Sequence, residues 1–284
     1  MINGDYTIKK QFKDSTIFEP KSNLSLFFSS NSLVFCEFTV DFNQIIQLAD
    51  IEFNLLNNPT LNLLDRLQFI CNNYQLIKTY NKVYISILNL NFTLIPNAFA
   101  NLNNEADFLK FGTGLTSVKN SLEHTLSNLK FCYTIEQDLK QFLEKTFPAA
   151  FIRHAGAVTL NLYTNQPFLA NSDLFLNINY NVIEIAVKQK NDLQFYNVFN
   201  CQSNEDIIYY LLFTLEQLQL SPLTVKIAIA GQTDSNSELI ISLKKYIKHI
   251  NFTTNNTATY YKNELKDTPS HFYFTALNQT LCEL

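Results

Sequence analysis

The stretch VKIAIAGQTDSNSELI, Val225 to Ile240, sets a short apolar run, a glycine and a capped helix in succession. That order can bring backbone N–H groups and a helix N-terminus to an anion, which makes Gly231 and Gln232 candidates for a nucleotide floor. Gly112-Thr113-Gly114 offers a second glycine pair, but no Lys-Ser/Thr follows at Walker spacing, so it reads as the turn after a helix. His154 follows Arg153 at an expected strand end. A general base there is conceivable; a hydrogen-bonded structural histidine at a strand-to-helix turn accounts for it better. His124, His249 and His271 show neither HxH nor HExxH spacing, so no metal site is expected. No GxSxG elbow exists.

Bulk properties exclude several classes of partner. The formal net charge is −4, and the arginines are Arg66 and Arg153 alone. Phosphate-backbone binding needs dense Lys/Arg, so nucleic acid is not an expected partner. No apolar run approaches the ~20 residues that span a bilayer. The first residues, MINGDYTIKKQFKDSTIFEP, carry charges throughout and lack the apolar core of a signal peptide. The five cysteines form no CxxC pair and are odd in number, as expected of buried free thiols in a reducing compartment. A cytoplasmic location is the expectation.

The elements that would position these residues come in two similar series. Leu24 to Phe28 and Leu33 to Val40 alternate on either side of Ser29-Ser30-Asn31-Ser32, a hairpin, and residues 44–54 give a third strand. A helix after Pro59 has Leu61, Leu64, Leu67 and Ile70 on one face. Strands at 83–88 and 92–95, a helix over 104–111 and a strand at 128–134 follow. The box Thr134-Ile135-Glu136-Gln137 should cap the next helix, before a strand at 150–153 and a helix near 156–164. The C-terminal part begins again: a hairpin of Leu174, Leu176, Ile178 and Ile183, Ile185, Val187, then a strand over 193–199. A helix opened by Ser203-Asn204-Glu205-Asp206 follows, then strand 225–230, and a helix over 235–249 capped by Ser235 with Glu238. Tyr209, Tyr210 and Phe213 lie partly off the apolar stripe of the 204–219 helix; burial is expected for them, with an exposed aromatic patch for a partner as the alternative. Lys244, Lys245 and Lys248 mark the polar side of the 235–249 helix; a solvated face accounts for them better than a site for an acidic partner. Hairpin, third strand, helix, strand, helix thus occurs twice at a period of roughly 150 residues, far beyond solenoid periods. The fold expected is α/β, duplicated and actin-like (ribonuclease-H-like), with two lobes, residues 1–165 and 166–284, each a mixed sheet flanked by helices.

Three segments carry a more specific likeness: FTLIPNAFANLNNEADFLKF (92–111), LQFYNVFNCQSNEDIIYYLLFTLEQLQLSP (193–222) and HFYFTALNQTLCEL (271–284). They resemble an uncharacterised family, found mainly in Bacteroidetes, known as a domain of unknown function with an actin-like ATPase fold. The chain is also distantly similar to the cytoplasmic part of type II secretion L-type proteins and to pilus-assembly M-type proteins. The resemblance implies a fold and no established activity or catalytic residues.

Active actin-like ATPases set an Asp-x-Gly hairpin from each lobe against the nucleotide phosphates. The aspartates hold Mg²⁺ directly or through water, and the glycine lets backbone N–H groups approach. Against that pattern Phe27 stands for the first Asp and Ser29 for the Gly; in the second hairpin Asn177 and Asn179 take those places. The adenosine-side glycine pair keeps Gly231 and replaces the second glycine with Gln232. The expectation is a non-catalytic, protein-binding domain with no cofactor and a protein partner whose identity the sequence leaves open. The alternative is a nucleotide-binding regulatory switch using Gly231, Gln232, Asn177 and Asn179. An unrelated enzyme would have only His154 to rest on.

Overall fold

A computed structural model describes residues 6–54, 62–100, 104–118, 121–126, 128–190, 192–254, 265 and 267–282. Its described residues divide into two compact units, one up to residue 158 and one from 159 to 282.

The first unit is built on β1 (Tyr6–Lys13), β2 (Asn23–Phe28), β3 (Ser32–Phe38), β4 (Ile45–Phe53), β5 (Lys82–Ile87) and β9 (Ala150–His154), in the order β1-β4-β3-β2-β5-β9. Pairs β1–β4, β4–β3 and β3–β2 are antiparallel; β2–β5 and β5–β9 are parallel. Nearly every residue of β2 and β3 is buried, including Phe27 at 2% exposure and the wholly covered Phe28 and Phe35. Both faces of these strands are covered, so the polar Asn23, Ser25 and Glu37 are buried along with the apolar residues. Helix α1 (Leu63–Asn73) is capped by Asn62, whose side chain accepts the Asp65 N–H at 2.8 Å, and buries Leu67 and Ile70. Leu61, expected on that face, lies outside the described residues.

Between β5 and β9 the chain inserts β6 (Phe92–Pro96), α2 (Glu105–Thr113), β7 (Ser121–Leu126) and β8 (Leu129–Thr134). Its three strands form a small antiparallel sheet, β6-β8-β7, on which Leu109 of α2 packs with Ile95 and Cys132. Helix α2 runs through Thr113, and Gly114 caps it at φ 72°. Helix α3 (Gln137–Thr146) starts without the expected Thr134 box; its N-cap is Glu136, with no side-chain bond. Thr134 is already committed to the sheet, paired with Ser121 and bonded through its N–H to the Asn91 carbonyl. After β9 comes helix α4 (Ala155–Asn165), within which the division between the units falls.

The second unit holds β10 (Leu174–Asn179), β11 (Val182–Gln189), β12 (Asp192–Asn200), β13 (Lys226–Gly231) and β14 (His249–Phe252), ordered β12-β11-β10-β13-β14. The directions repeat the first sheet without β1: two antiparallel pairs, then two parallel ones. Helix α5 (Asn204–Gln217) has the expected box, Ser203 and Asp206 bonding reciprocally. Its Ile207, Leu211 and Leu215 pack on Leu174, Leu176, Ile178 and Ile185 of the sheet, beside Leu239, Ile240 and Leu243 of helix α6 (Glu238–Leu243). Helix α6 is far shorter than the 235–249 expected, and Ser237 rather than Ser235 caps it. Residues 249–252 instead pair with β13, because ladder hydrogen bonds and burial of Ile250 outweigh a helical continuation. Helix α7 (Phe274–Asn278), wholly buried, lies near the end of the chain.

Two further strands had no expected counterpart. Edge strand β1 has three lysines in eight residues and is mostly exposed, with Lys9 bonded to Glu52 at 2.7 Å; charge suits an edge and hides the strand signal. In β7 the alternation Leu122, His124, Leu126 marks the strand, with a histidine at an inward position.

Candidate functional site

The two hairpins can be compared through their ladders. Phe27 pairs with Val34 in β3 and Ser86 in β5; Asn177 pairs with Glu184 in β11 and Ala230 in β13. Leu24 pairs with Val83 as Leu174 pairs with Ile227, so Phe27 and Asn177 hold the same place in the two sheets, as do Ser29 and Asn179. It is the place to which the Asp-x-Gly pattern of active actin-like ATPases would assign the aspartates. In the first unit it is apolar: Phe27 lies in the core. Ser29 bonds within its own turn, to Asn31 at 3.1 Å and Ser32 at 2.8 Å.

In the second unit the place is polar and closed. Asn177 Nδ2 donates to Glu184 Oε2 at 2.6 Å and to Thr275 Oγ1 of α7 at 3.2 Å, and Asn179 Nδ2 lies 3.5 Å from the same carboxylate. Tyr196 donates its hydroxyl to Glu184 Oε1 at 2.8 Å. Burial pushes the Glu184 carboxyl above the ordinary carboxylate range, against the hydrogen bonds from Tyr196 and Asn177 that favour its charged form. Asn179 ends β10, and Tyr180 after it takes the left-handed conformation, at φ 56°. Sequence reasoning missed Glu184, although alternation through Ile183, Ile185 and Val187 sets it opposite Asn177.

Gly231 and Gln232 meet these residues at the end of β13. Gly231 has φ +93°, and a Cβ there would lie 1.9 Å from the Ile178 carbonyl oxygen. Its N–H donates to the His271 carbonyl at 2.9 Å, and the Gln232 N–H donates to Ile178 at 2.8 Å. Both backbone donors that a phosphate would need are spent on the protein. Asn177 Oδ1 and Gln232 Oε1 have no hydrogen-bond partner among the described residues.

His154 sits elsewhere, in the first unit, fully buried against Phe92, Phe131 and Tyr133. The Gly156 N–H donates to its Nδ1 at 2.9 Å, which places the ring proton on Nε2, 3.1 Å from the Asn89 carbonyl. Burial holds its pKa down to about 3, and that of His124 to about 4. His154 is a structural histidine with both nitrogens engaged. The two arginines are engaged as well: Arg66 donates to the Ser30 and Asn62 carbonyls, and Arg153 lies over Tyr84 and Phe151.

The cysteines are free and buried. Among the described residues no helix is long and apolar enough to cross a membrane, and no group of His, Cys, Asp and Glu is arranged to hold a metal ion. Burial was expected for Tyr209 and Phe213; they are 59% and 44% exposed, stacked on each other, while Tyr210 packs on Phe199. The α5 stripe that faces the sheet is already filled by Ile207, Leu211 and Leu215.

The paired five-strand frameworks and their hairpins define an actin-like ATPase fold. A protein of that fold and unknown function from Bacteroides thetaiotaomicron superposes with a TM-score of 0.67 at 21% identity, over 84% of this chain and 92% of that one. A chain of the PilM–PilN type IV pilus biogenesis complex gives 0.59 at 12% identity, over 90% and 96%. The cytoplasmic domain of EpsL, from the type II secretion system of Vibrio cholerae, gives 0.47 at 7%, over 84% and 92%. Among curated proteins none matches significantly. The chain belongs to the DUF3822 family, described as a protein of unknown function, whose model matches residues 13–250.

Proposed function

We propose that this chain is a non-catalytic actin-like domain that works by binding another protein. The observation that carries the reading is the pair of matched positions: Phe27 in an apolar core, and Asn177 turned into Glu184. A phenylalanine cannot ligate magnesium, and an amide donating to a buried carboxylate is not presented to one. The fold relative in the PilM–PilN complex is consistent with a protein-binding role. The test pairs affinity capture from the native host with thermal shift in millimolar Mg-ATP and Mg-ADP. A reproducible partner and an unmoved Tm are expected, since a ligand bound only by the folded state raises apparent stability. Measured ATP turnover with no partner would overturn the proposal.

A nucleotide-responsive switch is the second reading. Asn177 Oδ1 and Gln232 Oε1, acceptors without partners, favour it. Calorimetry with ATP and ADP decides: no heat of binding at millimolar nucleotide removes it.

A further inference from the structure

We propose that the exposed face of α5 and α6 is a self-association surface, each copy laying its α5 on the other's α6. Both helices pack on the same face of the second sheet, so their outer sides form one surface. Each connects strands that run parallel, so the helices run in the same direction, and their C-terminal ends adjoin: the Lys248 N–H donates to the Pro222 carbonyl at 3.2 Å.

The outer side of α5 presents Tyr209, Phe213 and Glu216, which fall within one narrow stripe at 3.6 residues per turn. Tyr209 and Phe213 stack with ring centroids 5.8 Å apart and planes 16° apart, an ordered aromatic platform left open to solvent. Glu216 lies in the last turn of α5, which has no basic residue, so its charge opposes the helix dipole and helix stability gives no reason for it. The outer side of α6 and the turn after it presents Ile241 and Tyr246, about half exposed, with Lys244, Lys245 and Lys248. None of these four charged groups makes an ion pair among the described residues, although the two ends adjoin.

An acidic aromatic strip beside a basic apolar strip is self-complementary. A two-fold axis parallel to the helices places one copy's Tyr209, Phe213 and Glu216 on the other's Ile241, Tyr246 and lysines, and the reverse, which is an isologous interface. Glu205 and Glu238 lie at the other ends, where the helix N-termini accommodate them, so the contact centres on the C-terminal halves. A face about 20 Å long and two helix diameters wide offers about 400 Å² per partner, half the standard interface, so the dimer should be weak and salt-sensitive. The inference is independent of the non-catalytic reading, because its readout involves no nucleotide.

Sedimentation velocity on the full chain, from about 10 to about 300 µM at low salt, tests it. The wild type should shift toward a dimer across that range. Glu216→Lys alone, and Lys244→Glu with Lys245→Glu, should each remain monomeric, as should Phe213→Ser. Mixing the two charge-reversed chains should restore the dimer, because the reversed position 216 of one chain meets the reversed positions 244 and 245 of the other, while the native Glu216 meets the native lysines; a folding defect would not be rescued in this way. A monomeric wild type at the highest concentration overturns the proposal, as does a dimer indifferent to both reversals. Capture of a different protein on this face by a chain that stays monomeric overturns it equally.

Discussion

Asn177 and Glu184 face each other across the β10–β11 ladder, the Asn177 Nδ2 2.6 Å from Glu184 Oε2. The acid in this hairpin is thus one strand away from the position that the Asp-x-Gly pattern would assign to it, and it is turned inward. Its carboxyl is held above the ordinary 4.5 by burial, so the folded state binds a proton more tightly than the unfolded one. The stabilisation from that proton is full below the unfolded value and is lost as pH rises through the folded value. Urea unfolding of the wild type should show this component declining above about pH 4.5. Glu184→Gln should flatten it, and Glu184→Ala, which strands Tyr196 and Asn177, should cost about 3 kcal/mol.

Rebuilding the aspartates should not rebuild a nucleotide site. Phe27→Asp puts a carboxylate into the core and should cost about 5 kcal/mol in chemical denaturation. Asn177→Asp sets a second carboxyl against Glu184, and two acids that close share a proton. Its destabilisation should therefore be larger at pH 8 than at pH 5, with no thermal shift from Mg-ATP in either variant. A Tm rise with nucleotide in Asn177→Asp would show that the place remains accessible.

Gly231 and Gly114 separate two uses of glycine. Gly231→Ala drives a methyl into the Ile178 carbonyl and should cost about 3 kcal/mol or more, whereas Gly114→Ala meets no atom within 4 Å and should cost about 1 kcal/mol for its positive φ alone. Equal losses would mean the two strands do not approach as described.

His154 gives an acid-side dependence of opposite sign. Its pKa is lowered from 6.5 to about 3, so its contribution is present above 6.5 and is lost as pH falls toward 3. Between pH 6.5 and 5 this amounts to about 2 kcal/mol. His154→Gln should remove that slope while lowering stability at pH 7. In NMR the His154 ring signals should not titrate between pH 5 and 8.

The repeated framework was legible because β2, β3, β10 and β11 alternate or run apolar without interruption, and because Ser203 and Asp206 form a true cap. Residues 235–249 misled because Leu239, Ile240, Leu243, Ile247 and Ile250 are spaced as a helix would space them, yet the last two belong to a turn and a strand. Local periodicity cannot report a strand partner that lies upstream in β13. At the hairpins the residue types told what was missing; what replaced it depended on a cross-strand register. Glu184 has meaning only once it is known to face Asn177. Exposure of Tyr209 and Phe213 was hidden for a related reason: a helix apolar on several sides does not declare which side the sheet has already taken.

The hydrogen bonds from Gly231 to His271 and from Asn177 to Thr275 have a consequence in time. All five strands of the second sheet have been synthesised by residue 252, but the helix that covers Phe175 and Asn177 is not finished until residue 278. During translation the sheet must wait with aromatic and amide groups uncovered, and no nascent chain shorter than this can close its own centre. The interval is a window in which aggregation or a chaperone competes with folding, and its length is set by the ribosome's pace rather than by the energy of the contacts.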